Sequence, residues 1–171
     1  GNVIGGGDWS EDRLIPDLIR AISEHKSLEI RSPNATRPWQ HVLEALSGYL
    51  VLGQKMLMGD REAAGPWNFG PELEGNQTVL DILNKLKGVW VDIKWHETGI
   101  PQSYEANLLC LDSKKANERL NWQPVWNIDS TVEKTAEWYK QWLNTGNVIS
   151  RQQLANYASD ASYAEIEWTN S

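Results

Sequence analysis

The stretch GNVIGGGDWSEDRLIPDLIRAISE, residues 1–24, decides the class of fold. Its apolar start at 2–4 indicates the last residues of a strand, and the glycines at 5–7 indicate the loop that follows it. From Arg13 to Glu24 the apolar residues recur at helical spacing, and Pro16 stands in the first turn, where its missing N–H costs nothing. A strand that leads through a loop into a helix predicts an α/β protein, and we expect the chain to start in the middle of that fold.

The rest of the chain continues the alternation of strands and helices. Short strands are predicted at Leu28–Ile30, Trp67–Gly70, Val89–His96 and Leu108–Leu111. Helices are predicted at Val42–Gly59, Thr78–Lys87, Ser113–Leu120 and Thr131–Leu143. We expect one body over residues 1–145, and a loosely attached, polar tail over 146–171 that holds one short helix at 151–157.

Composition and charge exclude several classes of protein. Sixteen Lys and Arg against 23 Asp and Glu leave a formal charge of −7, so the field of the protein repels polyanions and disfavours nucleic-acid binding. No stretch approaches the roughly 18 consecutive apolar residues of a membrane span. A single cysteine, Cys110, and three histidines provide no disulfide and no zinc-type spacing, which favours a reducing, cytoplasmic location. Most of the ten tryptophans are expected in the core.

The glycines near the start of the sequence imitate a dinucleotide-binding loop but fail its context. Gly1, Gly5 and Gly7 match the spacing found in short-chain dehydrogenases, yet the required strand, helix start and downstream acidic residue do not accompany them. They are interpreted instead as a loop that permits positive φ and close approach to another group. None of the five tyrosines has Lys four residues later, and no Gly-x-Ser-x-Gly, His-Glu-x-x-His or P-loop motif occurs. We therefore expect no catalytic, cofactor-binding or metal-binding residues in this chain.

Polar side chains at the predicted strand ends are the candidates for ligand binding. Arg37 stands in the segment TRPWQH at 36–41, where a fork-shaped guanidinium beside a rigid proline and an aromatic ring suits a diphosphate. A surface ion pair is the alternative for this arginine. His41 equally fits a helix N-terminus, Asn68 fits a turn at a strand end, and Trp39 fits either the core or a platform for a base. The candidates are Asn2, Arg13, Arg37, Gln40, His41, Asn68 and Glu105.

Several blocks of the sequence together resemble the C-terminal half of the CDP-glucose 4,6-dehydratases, a family within the extended short-chain dehydrogenase/reductase superfamily. The most specific block is RPWQHVLE at 37–44, and the resemblance runs over residues 1–157. The other blocks are GNVIGGGDW at 1–9, DRLIPD at 12–17, GPWNFGP at 65–71, EA at 105–106, LCLD at 109–112, LNWQP at 120–124 and EWY at 137–139.

The resemblance implies an α/β fold: the C-terminal part of an NAD(P)-binding Rossmann fold, interleaved with a small mixed α/β lid that binds the substrate. The parent enzyme is expected to use NAD to oxidise the sugar of CDP-glucose at C4, eliminate water across C5 and C6, and return the hydride to C6. Its product, CDP-4-keto-6-deoxyglucose, is a precursor of the dideoxysugars of polysaccharides. Because the NAD loop and catalytic groups of the family lie upstream of the matched part, we expect this chain to be inactive alone. A homo-oligomer is expected only for the full-length form, and the sequence leaves its oligomeric state open.

The resemblance also implies roles for the matched residues. Asn2 corresponds to an asparagine that donates to the phosphates, Arg37 to the arginine that binds the diphosphate, and Asn68 to a polar contact on the nucleotide side. The segment Arg13–Ile15 is expected to lie along the nucleotide. Where the family commonly has His-Glu-Ala-His, this chain has YEAN at 104–107, which alters the contacts expected there. The complete substrate-binding set is Asn2, Arg13, Leu14, Ile15, Arg37, Trp39, Gln40, His41, Asn68 and Glu105.

Two alternatives stay open at this level. The first is another sugar-nucleotide epimerase or dehydratase of the same superfamily, which would differ in nucleotide preference and in whether the oxygen on C6 is retained. The second is a non-catalytic fragment that binds a sugar nucleotide without turning it over. Because only the trailing strands of the implied sheet are matched, we also expect exposed apolar edges and faces.

Overall fold

The structure, a computed structural model, describes residues 2–98 and 107–170. Helices and short strands alternate along these residues. The strands are β1 (Asn2–Ile4), β2 (Leu28–Ile30), β3 (Thr36–His41), β4 (Asn76–Thr78) and β5 (Trp95–Glu97). The helices are α1 (Leu14–Ser23), α2 (Val42–Leu57), α3 (Val79–Val89), α4 (Lys114–Leu120), α5 (Ile128–Thr145) and α6 (Ser150–Tyr163), with 3-10 turns at Arg61–Ala63, Leu73–Gly75 and Glu167–Asn170.

Two small sheets form in this part of the chain. In the first sheet the order is β1-β3-β4: β1 runs parallel to β3, with Asn2 opposite Trp39 and Ile4 opposite His41, and β4 is antiparallel on the other side. In the second sheet β2 and β5 pair in parallel. Parallel neighbours need a long crossover connection, and the one between β1 and β3 contains α1 and β2. These parallel pairs confirm the α/β class expected from the sequence.

The main core packs α1, α3 and α5 against the strands. Its largest fully buried side chains include Trp39, Tyr139, Leu18, Ile82, Leu83, Ile93 and Val132. A smaller cluster joins α2 to α4 and consists of Val51, Phe69, Ala116, Leu120 and Trp122. Five of the ten tryptophans are buried, namely Trp39, Trp90, Trp122, Trp126 and Trp138. Three more pack against the two clusters, so the expectation that most tryptophans belong to the core is confirmed.

The glycine loop after β1 serves close packing. A Cβ built on Gly6 would lie 1.9 Å from Cγ of Trp138, so only a residue without a side chain lets the indole lie against this backbone. A Cβ on Gly5 would lie 2.8 Å from Cγ1 of Val42 at the start of α2. Gly7 has a φ of +85°, which side chains rarely adopt. The interpretation of these glycines as a loop that approaches another group closely is therefore confirmed.

Some predicted strands are absent or shorter. The segment Trp67–Gly70 forms no ladder, because the carbonyl oxygen of Phe69 accepts from Gln40 and the N–H of Gly70 donates to the hydroxyl of Ser113. The segment 108–111 contributes one isolated bridge, and of the segment 89–96 only its end belongs to β5. Conversely, β3 was not predicted as a strand, because Pro38 at its centre lacks an N–H for a ladder.

The segment 146–171 differs from the loose tail that we expected. It holds α6, which is twice as long as predicted, and its Tyr157 is buried. The hydroxyl of Tyr157 donates to Oε2 of Glu44 at 2.8 Å, and Nε2 of Gln153 donates to the carbonyl oxygen of Lys134 at 2.7 Å. The polar composition of α6 concealed this packing, since only three side chains at spacing four, Gln153, Tyr157 and Ala161, are buried.

Helix α2 presents its apolar side chains to solvent. Its buried side chains are small or polar apart from one valine, namely Glu44, Ala45, Ser47, Gly48 and Val51. Its exposed side chains include Leu46, Tyr49, Leu50, Met56 and Leu57. This face agrees with the expectation of exposed apolar surface. Within residues 2–98 and 107–170, no helix combines the length and apolar character that crossing a membrane requires.

Candidate functional site

A cleft of about 300 Å³ opens where β1, β3 and the first turn of α1 meet. The parallel register places Asn2 of β1 directly opposite Trp39 of β3, and the loop after β1 returns the chain to the same place through Asp8 and Asp12. Six of the ten residues predicted to bind substrate line this cleft: Asn2, Arg13, Leu14, Ile15, Arg37 and Trp39.

The N-terminus of α1 points backbone donors toward this region. Arg13 is the N-cap residue, with extended φ and ψ, and its side chain makes no capping hydrogen bond. The N–H groups of the first turn have no acceptor within a helix, and Leu14 and Ile15 carry two of them. Unpaired N–H groups and the helix dipole together favour an anion. The first turn of α1 therefore suits a phosphate or carboxylate in the cleft.

Two arginines give the cleft its positive charge. Arg37 is 7% exposed, and its Nη1 donates to the carbonyl oxygen of Thr36 at 2.8 Å, which fixes the guanidinium near the cleft wall. Arg13 is exposed at the mouth. Because alternate residues of a strand share a face, Arg37 and Trp39 lie on the same side of β3. Because the carbonyl group of the preceding residue already orients this guanidinium, it loses little conformational freedom when it binds a planar or tetrahedral anion.

The acidic residues of the cleft were not among the predicted site residues. Asp8 accepts from both the N–H and the hydroxyl of Ser10, at 2.9 and 2.7 Å. These hydrogen bonds lower the pKa of Asp8 below its ordinary value, and the bond from the backbone N–H has the larger effect. Asp8 is therefore a carboxylate at neutral pH. Asp12 has a positive φ of 58°, and Val79 at the start of α3 closes the cleft from a third side. The sequence offered a signal only for the aspartates, which follow the glycines at 5–7.

Gln40, which is part of the predicted binding set, is not among the residues that line the cleft. It follows Trp39 in β3 and therefore points to the opposite face of the strand. The side chain is 3% exposed, and its Nε2 donates to the carbonyl oxygen of Phe69 at 2.7 Å. Gln40 therefore holds the segment after Trp67 against the sheet.

His41 is likewise absent from the lining of the cleft. Its Nδ1 accepts from the N–H of Leu43 at 3.3 Å, so it caps α2, as the helix N-terminus alternative suggested. Its ring meets Trp126 edge to face, with centroids 4.8 Å apart. Burial, and to a lesser degree the charge of Lys134, lowers the pKa of His41 to about 4. The imidazole is therefore neutral at physiological pH.

The lowered pKa of His41 predicts a stability that falls with acidification. In the unfolded chain histidine titrates near its ordinary value of about 6.5, whereas the folded protein excludes the proton down to pH 4. The contribution of the neutral His41 ring to the free energy of unfolding is complete above pH 6.5 and is lost as the pH falls through 4. Urea unfolding should show a loss of about 1 kcal/mol between pH 7 and 5.5 from this group. His41→Asn keeps a capping side chain and should remove this pH dependence; an unchanged profile would contradict the assignment.

Asn68 and Glu105 complete the predicted set. Asn68 is exposed, its Nδ2 donates to the carbonyl oxygen of Asp112 at 3.3 Å, and it does not line the cleft. Its neighbour Trp67 packs under the ammonium group of Lys115, 4.0 Å from the ring centroid. Glu105 lies outside the described residues. The turn alternative for Asn68 accounts for its observed hydrogen bond.

A buried hub of hydrogen bonds that the sequence did not reveal centres on Glu44 of α2. Glu44 is fully buried, and its carboxylate accepts from the N–H of Val125 at 2.9 Å and of Trp126 at 2.7 Å. The hydroxyl of Tyr157 donates to the same carboxylate. Desolvation raises the pKa of Glu44, against the opposing effect of these hydrogen bonds. A lone glutamate among apolar residues at 42–46 was the only signal in the sequence.

Comparisons with known proteins extend this description. No protein-family model matches the chain. The chain is 41% identical over 162 residues to CDP-glucose 4,6-dehydratase of Salmonella typhimurium, a match that covers 93% of this chain and 45% of that protein. It is 24% identical over 138 residues to dTDP-glucose 4,6-dehydratase of the same organism, covering 78% of this chain and 38% of that protein. The chain thus spans less than half the length of these curated relatives.

Solved structures share the fold. UDP-glucuronic acid 4-epimerase from Bacillus cereus matches with a TM-score of 0.67 and 20% identity, over 82% of this chain and 43% of that one. dTDP-glucose 4,6-dehydratase from Bacillus anthracis, in complex with NAD, matches with a TM-score of 0.63 and 18% identity, over 82% of this chain and 42% of that one. At these identities the likeness concerns the fold alone.

The fold and these likenesses define a class: the chain carries part of the NAD(P)-binding Rossmann fold of the sugar-nucleotide dehydratases and epimerases. Within that class, the chain is similar to CDP-glucose 4,6-dehydratase, which it matches at 41% identity over 93% of its own length. The resemblance inferred from the sequence blocks is therefore confirmed.

The glycine loop of this chain does not fit the NAD named in the solved structures. A dinucleotide phosphate needs open space beside the glycines, so that it can approach the backbone closely. Here Trp138 fills that space at Gly6, and the hydroxyl of Tyr139 donates to the carbonyl oxygen of Asp8 at 2.7 Å. Gly6 therefore packs against Trp138, and the carbonyl group of Asp8 is held by Tyr139.

Proposed function

We propose that this chain is the substrate-binding part of an NAD-dependent CDP-glucose 4,6-dehydratase, a lyase that forms CDP-4-keto-6-deoxyglucose and water, and that the cleft holds the diphosphate of CDP-glucose. The observation that carries the proposal is the convergence of Arg13, Arg37, Asn2 and the first turn of α1 on one cleft. The 41% identity to CDP-glucose 4,6-dehydratase supports the choice of substrate.

The hydrogen-bond donors of the cleft each bind a different part of the diphosphate in this proposal. Arg37 holds the diphosphate with a guanidinium that its own backbone already orients, and the N–H groups of Leu14 and Ile15 bind a second phosphate oxygen. Asn2 donates from the strand opposite, and Trp39 forms the wall between them. Asp8 and Asp12 line the same cleft, so their two carboxylates balance the charge of the two arginines.

The cofactor belongs to the proposal as well. NAD supplies the oxidation at C4 and the return of hydride to C6, and we place its site in a part of the fold outside this chain. The residues of this chain bind and orient the sugar nucleotide. In the same proposal the whole enzyme acts in the cytoplasm, as a homo-oligomer, in the synthesis of dideoxysugars for polysaccharides. Asn68 and Glu105 stay predictions from the resemblance.

Calorimetric titration of the full chain with CDP-glucose tests the proposal, with UDP-glucose and NAD titrated in parallel. Binding of CDP-glucose in preference to UDP-glucose, with no heat from NAD, is the outcome that we expect. Equal binding of both sugar nucleotides would favour another member of the superfamily. The absence of heat from all three would show that the cleft alone does not hold the substrate.

Removing the guanidinium of the cleft should weaken that binding. Arg37→Ala is expected to cost about 1.5 to 3 kcal/mol of binding free energy, since a charge-assisted hydrogen bond to the diphosphate is lost. Arg13→Ala, at an exposed position, should cost less and leave the fold unchanged. Arg119→Ala is the matched control, because Arg119 is exposed and pairs with Glu62 outside the cleft. Unchanged affinity in both cleft variants would remove the diphosphate from this site.

A further inference from the structure

The β1–α1 loop, residues 5–13, forms one wall of the cleft. It supplies four of the lining residues, which are Gly5, Asp8, Asp12 and Arg13. The loop contains no helix or strand of its own. Its contacts with neighbouring elements therefore decide where this wall stands relative to the backbone donors at the start of α1.

Three consecutive carbonyl groups of the β1–α1 loop accept hydrogen bonds from side chains of α1 and α5. The hydroxyl of Tyr139, in α5, donates to the carbonyl oxygen of Asp8 at 2.7 Å. In α1, Nη1 of Arg20 donates to the carbonyl oxygen of Trp9 at 3.1 Å, and Nη2 donates to that of Ser10 at 3.0 Å. Neither Arg20 nor Tyr139 lines the cleft. The three carbonyl oxygens are therefore engaged by groups that stand outside the cleft lining.

The guanidinium of Arg20 is itself held from the side of its helix. Its Nη2 also donates to Oδ1 of Asp17, three residues earlier in α1, where the two side chains share one face of the helix. A guanidinium presents five N–H donors in fixed directions within one plane. Once it is anchored to its own helix, it can set the positions of two loop carbonyl groups at once. A lysine at this position would offer one ammonium group on a flexible chain and could not do the same.

Aromatic packing attaches the same loop to α5. The ring of Trp9 meets Tyr139 edge to face, with centroids 5.5 Å apart, and its centroid lies 4.7 Å from that of Trp142. Tyr139 thus holds two successive residues of the loop, one through its hydroxyl and one through its ring. Arg20 ties the following carbonyl groups to α1. The loop is therefore joined both to the helix whose first turn faces the cleft and to α5.

We propose that Arg20 is a positioning residue for the anion site of the cleft: it fixes the β1–α1 loop relative to the first turn of α1, so that the cleft is shaped before a ligand enters. The inference rests on the proposed function, in which the anion is the diphosphate of a sugar nucleotide. A site that is already ordered loses less conformational entropy on binding. In addition, a carbonyl oxygen that accepts from Arg20 or Tyr139 is not free to face the diphosphate, which its partial negative charge would repel.

Calorimetric titrations of the full chain with CDP-glucose and, separately, with inorganic pyrophosphate test this role. Arg20→Ala should weaken the binding of both by about fivefold to tenfold. Arg20→Lys, which keeps the charge, should stay at least about threefold weaker than the wild type, and Tyr139→Phe, which changes no charge, should lose about threefold. These losses should persist in about 0.5 M NaCl, which screens an effect of charge at a distance. Arg119→Ala and Tyr49→Phe, at exposed positions outside the cleft, are the matched controls and should bind as the wild type does.

Hydrogen–deuterium exchange provides a readout that needs no ligand. In Arg20→Ala the amides of residues 8–13 should exchange at least about threefold faster than in the wild type, whereas those of α2 should be unchanged. Equal exchange in this loop would show that Arg20 does not hold it.

The titrations separate the positioning role from the proposed function. Wild-type affinity in Arg20→Ala would overturn the positioning role alone. Full recovery in Arg20→Lys, or a loss that disappears in salt, would also overturn it, because either result would assign the effect to the charge of Arg20. Binding of pyrophosphate that depends on Arg20, without binding of CDP-glucose, would uphold the positioning role and contradict the proposed function. The absence of binding of both ligands to the wild type would contradict both.

Discussion

Replacement of Glu44 by alanine is expected to lower the free energy of unfolding by about 3 to 5 kcal/mol, because three buried donors would lose their acceptor at once. Those donors are the N–H groups of Val125 and Trp126 and the hydroxyl of Tyr157. The carboxylate joins α2 to the loop before α5 and to α6, so its loss affects three elements together. Urea unfolding followed by tryptophan fluorescence measures the effect.

A matched control separates the hub from any loss of charge. Glu133→Ala removes a carboxylate from an exposed position of α5 and should change stability by less than about 0.5 kcal/mol. Tyr157→Phe removes one donor of the hub and should cost about 1 kcal/mol. Equal stability of Glu44→Ala and Glu133→Ala would show that the hub does not hold these elements together.

The raised pKa of Glu44 gives this hub a pH signature. The folded protein binds the proton of Glu44 more tightly than the unfolded chain does. The contribution of this protonation to the free energy of unfolding is therefore greatest below pH 4.5, and it is reduced as the pH rises through the pKa of Glu44 in the folded protein. Glu44→Gln does not titrate at this position. The stability gap between the wild type and Glu44→Gln should therefore widen as the pH is lowered from 7 toward 4.5, opposite in direction to the effect of His41.

Gly6→Ala is expected to cost at least about 3 kcal/mol, at the upper end of overpacking effects, because the new methyl carbon would lie inside the indole of Trp138. Three ring atoms of this side chain lie between 1.9 and 2.4 Å from the Cβ site. Trp138 is 4% exposed and its Nε1 donates to the hydroxyl of Ser150 at 2.9 Å, so the ring cannot move aside freely. The melting temperature and the urea midpoint of the full chain measure the loss.

Gly53 provides the control for this substitution. It lies in α2, nothing stands within 4 Å of its Cβ site, and Gly53→Ala should raise stability by about 0.5 to 1 kcal/mol through helix propensity. A Gly6→Ala variant as stable as the wild type would mean that the loop and α5 do not pack as described.

The α/β class and most helices were predictable because their apolar residues follow a helical period. α1 and α4 begin and end within about one residue of the predicted bounds, and α2 within about two. The predictions of strands at 67–70 and 108–111 were wrong, because a short apolar run does not reveal whether a neighbouring strand exists to accept its hydrogen bonds. Strand pairing depends on residues far away in the sequence.

The candidate site was predictable where the residue types carried the chemistry. The arginines, Asn2 and the start of α1 were named from a guanidinium, an amide and the family resemblance, and they line one cleft. Gln40 and His41 were named as polar side chains at a strand end, whereas strand alternation and the cap of α2 turn them toward the interior. The hydrogen bonds of Glu44 were not predictable from the sequence, because their donors lie more than eighty residues away along the chain.

The hydrogen bond between Tyr157 and Glu44 joins residues 113 positions apart, and this separation bears on how the chain is made. Glu44 leaves the ribosome long before α6 is synthesised. When α2 emerges, the hydroxyl of Tyr157 is therefore not yet available to donate to the carboxylate of Glu44. Contacts so distant along the chain form late in folding. The C-terminal helix thus acts as the closing step of folding, and a nascent chain that stalls before it would be a natural target for chaperones and proteases.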